Sequence, residues 1–322
     1  MPSSALTRRG LLLGSVGSLA LVSCTSPTVR GPHDGATPVA PPTPDTALVQ
    51  ARTDEGGLVA LLGAAVAATG TLTPAQVTTV KQLLAAHTAH LVVLGRTDPL
   101  QAGATPEPTA ATSPATAKSA DWAALAAQIA ALEKTAQQHH RAAALAATDG
   151  PMALLYASLA TFAGLNTTPG RAISAGKTTP ARVEVGSRPE ALQVLLSRLR
   201  ALAEGLEIGI GQLPNQDKAI APGKLRLAAV WTQRDQTEQA LRAAKGEVPP
   251  AELNYQMPGG FGSPAQIATT WRALESAVFA AWARLTAAST GKERAAALDA
   301  MAAQAVVAHP AGSPVSHWPG WV

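Results

Sequence analysis

Apolar residues recur every three or four positions through eight segments of this chain, and stretches rich in Pro, Gly, Thr or Ser separate them. Over 74–94 the apolar line is Val77, Val80, Leu84, Leu91 and Leu94. Over 121–148 it is Trp122, Leu125, Ile129 and Leu132. Over 264–289 it is Ile267, Trp271, Leu274, Val278, Ala281 and Leu285. A stripe at this spacing buries one face of a helix against neighbours at coiled-coil register. The start signals agree with the pattern. Asp45 caps a helix running to about Thr69, and Thr73-Pro74 opens a second, to about Leu94. Asp121 opens a third, which Asp149-Gly150-Pro151 stops while starting a fourth to Leu165. Ser187 with Pro189 opens a fifth to about Leu213, Pro222-Gly223 a sixth to about Lys245, and Ser263-Pro264 a seventh to Ser289. Lys292 to Ala308 is the eighth. The most strand-like stretch, "RVEV" at 182–185, is too short to build a sheet. The pattern predicts an all-α protein of two four-helix bundles in tandem, over 45–165 and 188–322. The Gly- and Pro-containing segment 166–187 joins them, and Thr97–Ser119 forms a long crossover within the first.

Composition adds an address. The chain is 47% apolar but only 3% aromatic, with alanine dominating, which suits helices. Its N-terminus differs: Arg8 and Arg9 precede an uncharged apolar run, Leu11 to Val22, that is too short to span a bilayer well. Leu21-Val22-Ser23-Cys24 then reads as a lipobox, which predicts cleavage of residues 1–23 and a diacylglyceryl thioether on Cys24. Thr7 to Leu12 also resembles a twin-arginine export signal. Residues 24–44 read as a lipidated cysteine followed by a flexible tether. The expected location is therefore the outer face of the cytoplasmic membrane. Cys24 is the chain's single cysteine, so no disulfide supports the fold. Removing the leader's two arginines takes 25 basic side chains to 23, against 21 acidic, a net of +2. With no basic stripe, nucleic acid is not an expected partner.

Some polar side chains share the apolar faces. Leu48, Glu55 and Leu62 are spaced by seven; His87 sits between Leu84 and Leu91 with His90 one turn on; Glu133 neighbours Leu132, with His139 seven after Leu132. Buried carboxylates and imidazoles are costly unless paired or metal-bound. At 1.5 Å per residue, Glu55 lies roughly 15 Å into its helix, Glu133 roughly 18 Å into its own, and His87 roughly 10 Å from its helix's end. Alternating helix directions place these three within a turn or two of one another. His139 and His140, nearly 30 Å in by the same rise, fall too far away. Carboxylate and imidazole converging in a bundle core is one way that metals are held. The alternative is a salt bridge from Glu55 to Arg52, with the histidines reaching solvent at helix edges.

The segments "ALAEGLEIGIGQL" (201–213), "WTQRDQTEQALRAA" (231–244), "AELNYQMP" (251–258), "TWRALESAVFAAWARL" (270–285) and "HWPGWV" (317–322) together resemble the actinobacterial ferritin-like lipoproteins, from about Arg188 to the end. "LLAAHTAHLVVL" (83–94), "IAALEKTAQQHHRAAALAA" (129–147) and "MALLYASLATFAGL" (152–165) resemble the ferritin-like N-terminal half found in such proteins. The resemblance implies two ferritin-like bundles, with a glutamate on each of two helices and Glu-x-x-His on each of the others. The implied ligand set is broken. Glu55 and Glu133 fill single-glutamate roles, but His87-Thr88-Ala89-His90 has histidine where glutamate belongs, and Thr161 to Gly164 supply no ligand on the fourth helix. In the second half only Glu207 (or Glu204) and Glu275 remain, as vestiges. Val230 to Thr232 replace a histidine, and His309 and His317 lie at or beyond the last helix's end.

No phosphate loop follows a strand, and no Ser/His/Asp set has a recognisable context. Trp271 and Trp282 are expected to pack the second bundle, and Trp318 and Trp321 to close over its end. "MPGGFGSP" (257–264) reads as a connector. Two functions remain. The first is a non-enzymatic, lipid-anchored binding or scaffolding module, for which the sequence names no cofactor. The alternative is a protein that stores, transfers or oxidises iron or another transition metal through Glu55, His87, His90 and Glu133.

Overall fold

Side chains at the helix starts fix where the elements begin. Asp45 accepts hydrogen bonds from the Ala47 and Leu48 amides. Thr73 with Gln76, and Ser187 with Glu190, form reciprocal capping boxes, each followed by proline in the first turn. Ser263 caps Pro264 onward. The computed structural model describes residues 45–68, 70, 72–101, 121–176, 178–310 and 313–321. Arg8, Arg9, Cys24, the tether and most of the 97–119 crossover lie outside them. The described residues form an all-α fold: α1 (Thr46–Ala67), α2 (Pro74–Leu94), α3 (Trp122–Ala146), α4 (Gly150–Asn166), α5 (Arg188–Gln212), α6 (Ile220–Ala243), α7 (Pro264–Ala288) and α8 (Gly291–Ala308). None of these helices is long and apolar enough to cross a membrane.

The two sets of four repeat one packing order. α1 packs on α2 and α3, and α3 on α4; α5 packs on α6 and α7, and α7 on α8. The sets also touch. α4 is apolar around its whole circumference, with Leu155, Tyr156, Leu159 and Phe162 all buried. A helix apolar on every side needs partners on every side, and α4 packs on α7 and α8 as well as α3. Each fully buried side chain of this size contributes roughly 1.5–3 kcal/mol, so α4 joins the halves into one body, Pro44–Val322. Arg294, 2% exposed, adds a polar clamp. Its guanidinium donates to the Ala144 and Ala147 carbonyls at the end of α3 and to Ser289 O at the end of α7. Those carbonyls have no partner within their own helices.

The described residues of 166–187 form a strap. Its Ile173–Ser174 (β1) pairs in parallel with Val315–Ser316 (β2), while 182–185 forms no strand. Arg171 donates to Leu165 O and to His309 O at 2.6 Å. This pairing returns the C-terminal tail to the first set of helices. Trp318 and Trp321 are buried, as the sequence suggests, but Trp318 closes over the first four helices rather than the last four, against His90. Gly320 permits the approach. Its φ is +81°, and a Cβ there would stand 2.7 Å from Met301 Cε and 2.9 Å from Ala283 Cβ.

Candidate metal centre

Helix register delivers the polar residues to one place. The buried stripe of α1 is Ala51, Glu55, Leu58, Leu62 and Ala65; that of α2 includes Val80, Leu83, His87, His90 and Leu94. On α3 it is Leu125, Ile129, Glu133, Ala136, His140 and Ala143. Each runs in steps of three or four. The α3 stripe corrects the sequence reading by one residue: Leu132 is 37% exposed, and His139, seven further on, lies at the surface against Asp54. Glu133 and His140 are the inward pair.

Glu55, His87, His90, Glu133 and His140 are all at most 1% exposed. Glu55 Oε2 lies 2.7 Å from His87 Nδ1 and 2.9 Å from His90 Nδ1, and Glu55 Oε1 lies 3.1 Å from His140 Nε2. The far nitrogens are also tied: His87 Nε2 is 3.0 Å from Glu133 Oε1, and His90 Nε2 is 2.7 Å from His317 O. A backbone carbonyl only accepts, so His90 carries a proton on Nε2. Phe162 of α4 stands edge-on to both imidazoles, with centroids at 5.5 and 4.8 Å, and the Trp318 ring lies 4.7 Å from His90.

The structure therefore brings together all four residues picked from sequence, in unequal roles. Glu55, His87 and His90 present three ligand-type atoms within 4.8 Å of one another. Glu133 bears on the opposite nitrogen of His87. His140, placed too far away by helix-rise arithmetic, joins the cluster. Its Cα–Cβ bond leans toward the N-terminus of α3, carrying the ring toward the Glu133 level. That lean was the available signal. Arg52 does not pair with Glu55; it donates to Leu94 O and Arg96 O at the end of α2. α4 contributes no ligand, as its sequence implies.

The electrostatics follow from burial against convergence. Burial alone would push the Glu55 carboxyl up; the His90 and His87 charges and the bonds from His140 and His87 outweigh it and hold Glu55 well below the usual carboxylate range. Burial pulls His87 down, but Glu133 and Glu55 on its two sides push it up to about 10. Glu133 itself is pushed up, chiefly by burial. Two polar atoms of the cluster, Glu133 Oε2 and His140 Nδ1, are buried with no protein partner. Buried orphans of this kind are few in native proteins.

This arrangement suits an ion held mainly by nitrogen. Metal-bound histidines commonly give their second N–H to a carboxylate or backbone carbonyl, which fixes the tautomer and aims the other nitrogen. His87 with Glu133, and His90 with His317 O, have that form, and both aim Nδ1 at one Glu55 oxygen. Bonds of about 2.0–2.1 Å in a tetrahedral site set ligand atoms roughly 3.3 Å apart. The hydrogen-bonded spacings of 2.7 and 2.9 Å therefore have to open by about half an ångström, which side-chain rotation can supply.

The second set of helices handles its carboxylate differently. Glu207 is exposed and takes no part. Glu275 is 6% exposed and accepts two bonds from Arg226, both 2.7 Å, and one from Gln304 Nε2 at 2.7 Å. A guanidinium occupies the charge-neutralising role there. No curated protein matches the chain, and no solved structure does. The resemblance read from about Arg188 onward has a narrower counterpart among known families: residues 217–321, spanning α6, α7, α8 and the tail that reaches His90, match the family described as "Domain of unknown function (DUF4439)", which is of ferritin-like type.

Proposed function

We propose that this chain is a lipid-anchored cell-envelope protein whose first four helices bind one transition-metal ion through Glu55, His87 and His90, with His140 adjoining. The observation that carries the reading is the paired tautomer control: both α2 imidazoles have Nε2 tied to acceptors while both Nδ1 atoms meet one carboxylate oxygen. Two imidazoles and one carboxylate suit Zn²⁺, Fe²⁺ and neighbouring divalent ions. With no carboxylate from α4, the set is that of a mononuclear site. When bound, such an ion supplies Lewis acidity or, for iron, redox chemistry. Glu133 and the His317 carbonyl orient the ligands, and Phe162 and Trp318 limit water access. Anchoring is proposed from Arg8, Arg9, the apolar run and Cys24.

A second reading, a metal-free binding or scaffolding module, draws on the same network. Every imidazole nitrogen of the cluster except His140 Nδ1 already has a partner, so protons alone nearly complete it. Elemental analysis of the mature protein from its native host separates the two. A stoichiometric metal that His87→Ala removes supports the metal site; its absence, with a melting temperature unmoved by chelator, supports the scaffold. Cys24→Ser is expected to shift the protein from the membrane fraction to the soluble one.

A further inference from the structure

The two oxygens of Glu55 have separate partners. Oε2 meets both α2 imidazoles, His87 at 2.7 Å and His90 at 2.9 Å, while Oε1 meets only His140 Nε2, at 3.1 Å. A carboxylate accepts, so the His140 ring donates through its Nε2–H. His140 is not one of the three residues whose ligand-type atoms lie within 4.8 Å of one another. It touches the cluster through the oxygen that the α2 imidazoles leave aside.

Packing does not account for a histidine at this position. The side chain is fully buried, its neighbours on the α3 stripe are Ala136 and Ala143, and its Nδ1 has no protein partner. An apolar side chain of similar size would fill the place without leaving a buried nitrogen unpaired, which is costly. The bond to Glu55 Oε1 is the imidazole's one polar contact among the described residues. That bond decides how the carboxylate can act. A carboxylate binds a metal ion through one oxygen or through both, and the donor on Oε1 leaves Oε2 as the free one. Glu275 in the second set of helices marks the far end of the same scale. Arg226 donates to both of its oxygens and Gln304 adds a bond to Oε2, so neither is left for an ion.

We infer that His140 is a positioning residue that restricts Glu55 to one-oxygen coordination, so that Glu55 Oε2, His87 Nδ1 and His90 Nδ1 are the three protein ligands and one position of the ion stays open. The inference rests on the metal reading of this cluster and adds the coordination number and its cause. Three ligands of this kind with an open fourth position suit four-coordinate ions such as Zn²⁺ and Co²⁺. Ions that demand six oxygen-rich ligands, such as Mn²⁺, are served better by a carboxylate with both oxygens free. His140 thereby sets selectivity without touching the ion.

Visible absorption of the full chain titrated with Co²⁺ tests the inference, because Co²⁺ absorbs much more strongly in four-coordinate sites than in five- or six-coordinate ones. The unaltered protein is expected to give the intense spectrum. His140→Leu removes the donor and frees Oε1; absorption per bound Co²⁺ should fall by about twofold or more, and the preference for Zn²⁺ over Mn²⁺ by about tenfold. His140→Gln, whose amide can donate to the same oxygen, should keep the intense spectrum, with circular dichroism reporting the helicity of both variants. A weak spectrum in the unaltered protein overturns the inference without any variant. An unchanged spectrum in folded His140→Leu overturns it too. So does a His140→Gln spectrum as weak as that of His140→Leu, since the ring itself and not its donor would then be required. An unaltered protein that binds no Co²⁺ overturns the metal reading and this inference together, whereas the other outcomes leave the metal reading standing.

Discussion

Glu55→Gln is the sharpest perturbation of the first four helices, because it keeps the side-chain shape and removes only charge and one acceptor. Glu55 meets His87 and His90 through Oε2 and His140 through Oε1. A glutamine has one acceptor oxygen and one NH₂ group, so it cannot accept from all three imidazoles as the carboxylate does. The cluster also keeps its positive charge with less to offset it. Breaking a buried ion pair by removing one partner costs about 3–5 kcal/mol, a large share of the 5–15 kcal/mol typical of folded proteins. At about 2–4 °C per kcal/mol for a body somewhat smaller than this one, the melting temperature should fall by roughly 10 °C. Thermal unfolding followed by circular dichroism at 222 nm, with chelator present, reads this directly. Glu207→Gln, at an exposed position, serves as the control, expected to change stability by less than about 0.5 kcal/mol. A Glu55→Gln fall of under 2 °C would refute the reasoning, since it would mean that Glu55 is not the acceptor on which the imidazoles depend.

Further outcomes follow from the same contacts. His87 is held up to about 10 in the folded protein, against an ordinary 6.5, so its stabilising contribution is complete below about 6.5 and disappears as pH rises through 10. The metal-free protein should therefore lose melting temperature between pH 7 and 10. Glu55, held below its ordinary 4.5, stabilises above that value and ceases to do so as pH falls beneath its folded value, adding a second decline on the acid side. Arg226→Met leaves Glu275 buried and unpaired by charge, at a cost of about 3–5 kcal/mol, while Arg226→Met with Glu275→Leu should recover much of it in a denaturant melt. Gly320→Ala forces a side chain into left-handed backbone and against Met301 and Ala283, costing about 1–3 kcal/mol. If Trp318 seating depends on that turn, metal should also dissociate faster from this variant in a chelator-competition assay.

The helices were legible because their signals are local. Asp45, Thr73, Ser187 and Ser263 cap where the pattern starts, and the observed bounds fall within about two residues of the expected ones. Glu55, His87, His90 and Glu133 could be found because a charged residue on an apolar stripe stands out against leucine and alanine. What failed depended on side-chain direction and on distant chain. Leu132 and Glu133 are adjacent, and an Ala-rich helix carries too few large residues to decide which faces inward. His140 was lost because rise per residue locates a Cα rather than the ring that leans away from it. The C-terminal tail carries no periodicity at all. Its seat on His90 arises from the Ile173–Val315 pairing across about 140 residues of sequence, and nothing local encodes that.

The repeated packing order makes the difference between the halves informative. Glu133 is the twelfth residue of α3, and Glu275 is the twelfth of α7. Both are buried, and both need a positive partner. In the first half that partner is His87, whose ring releases a proton and then offers a lone pair. In the second it is Arg226, whose guanidinium stays protonated and has no lone pair to give. On the proposed reading one half can thus exchange protons for an ion, while the other is locked to a fixed cation. The locked half is still not independent of the other's chemistry. Its family-matching region ends in the strand and indole that hold His90 in place. Deleting the tail should therefore weaken the proposed metal binding in a half to which it contributes no ligand, and a tail-deleted protein binding metal as well as the intact one would separate the two halves functionally.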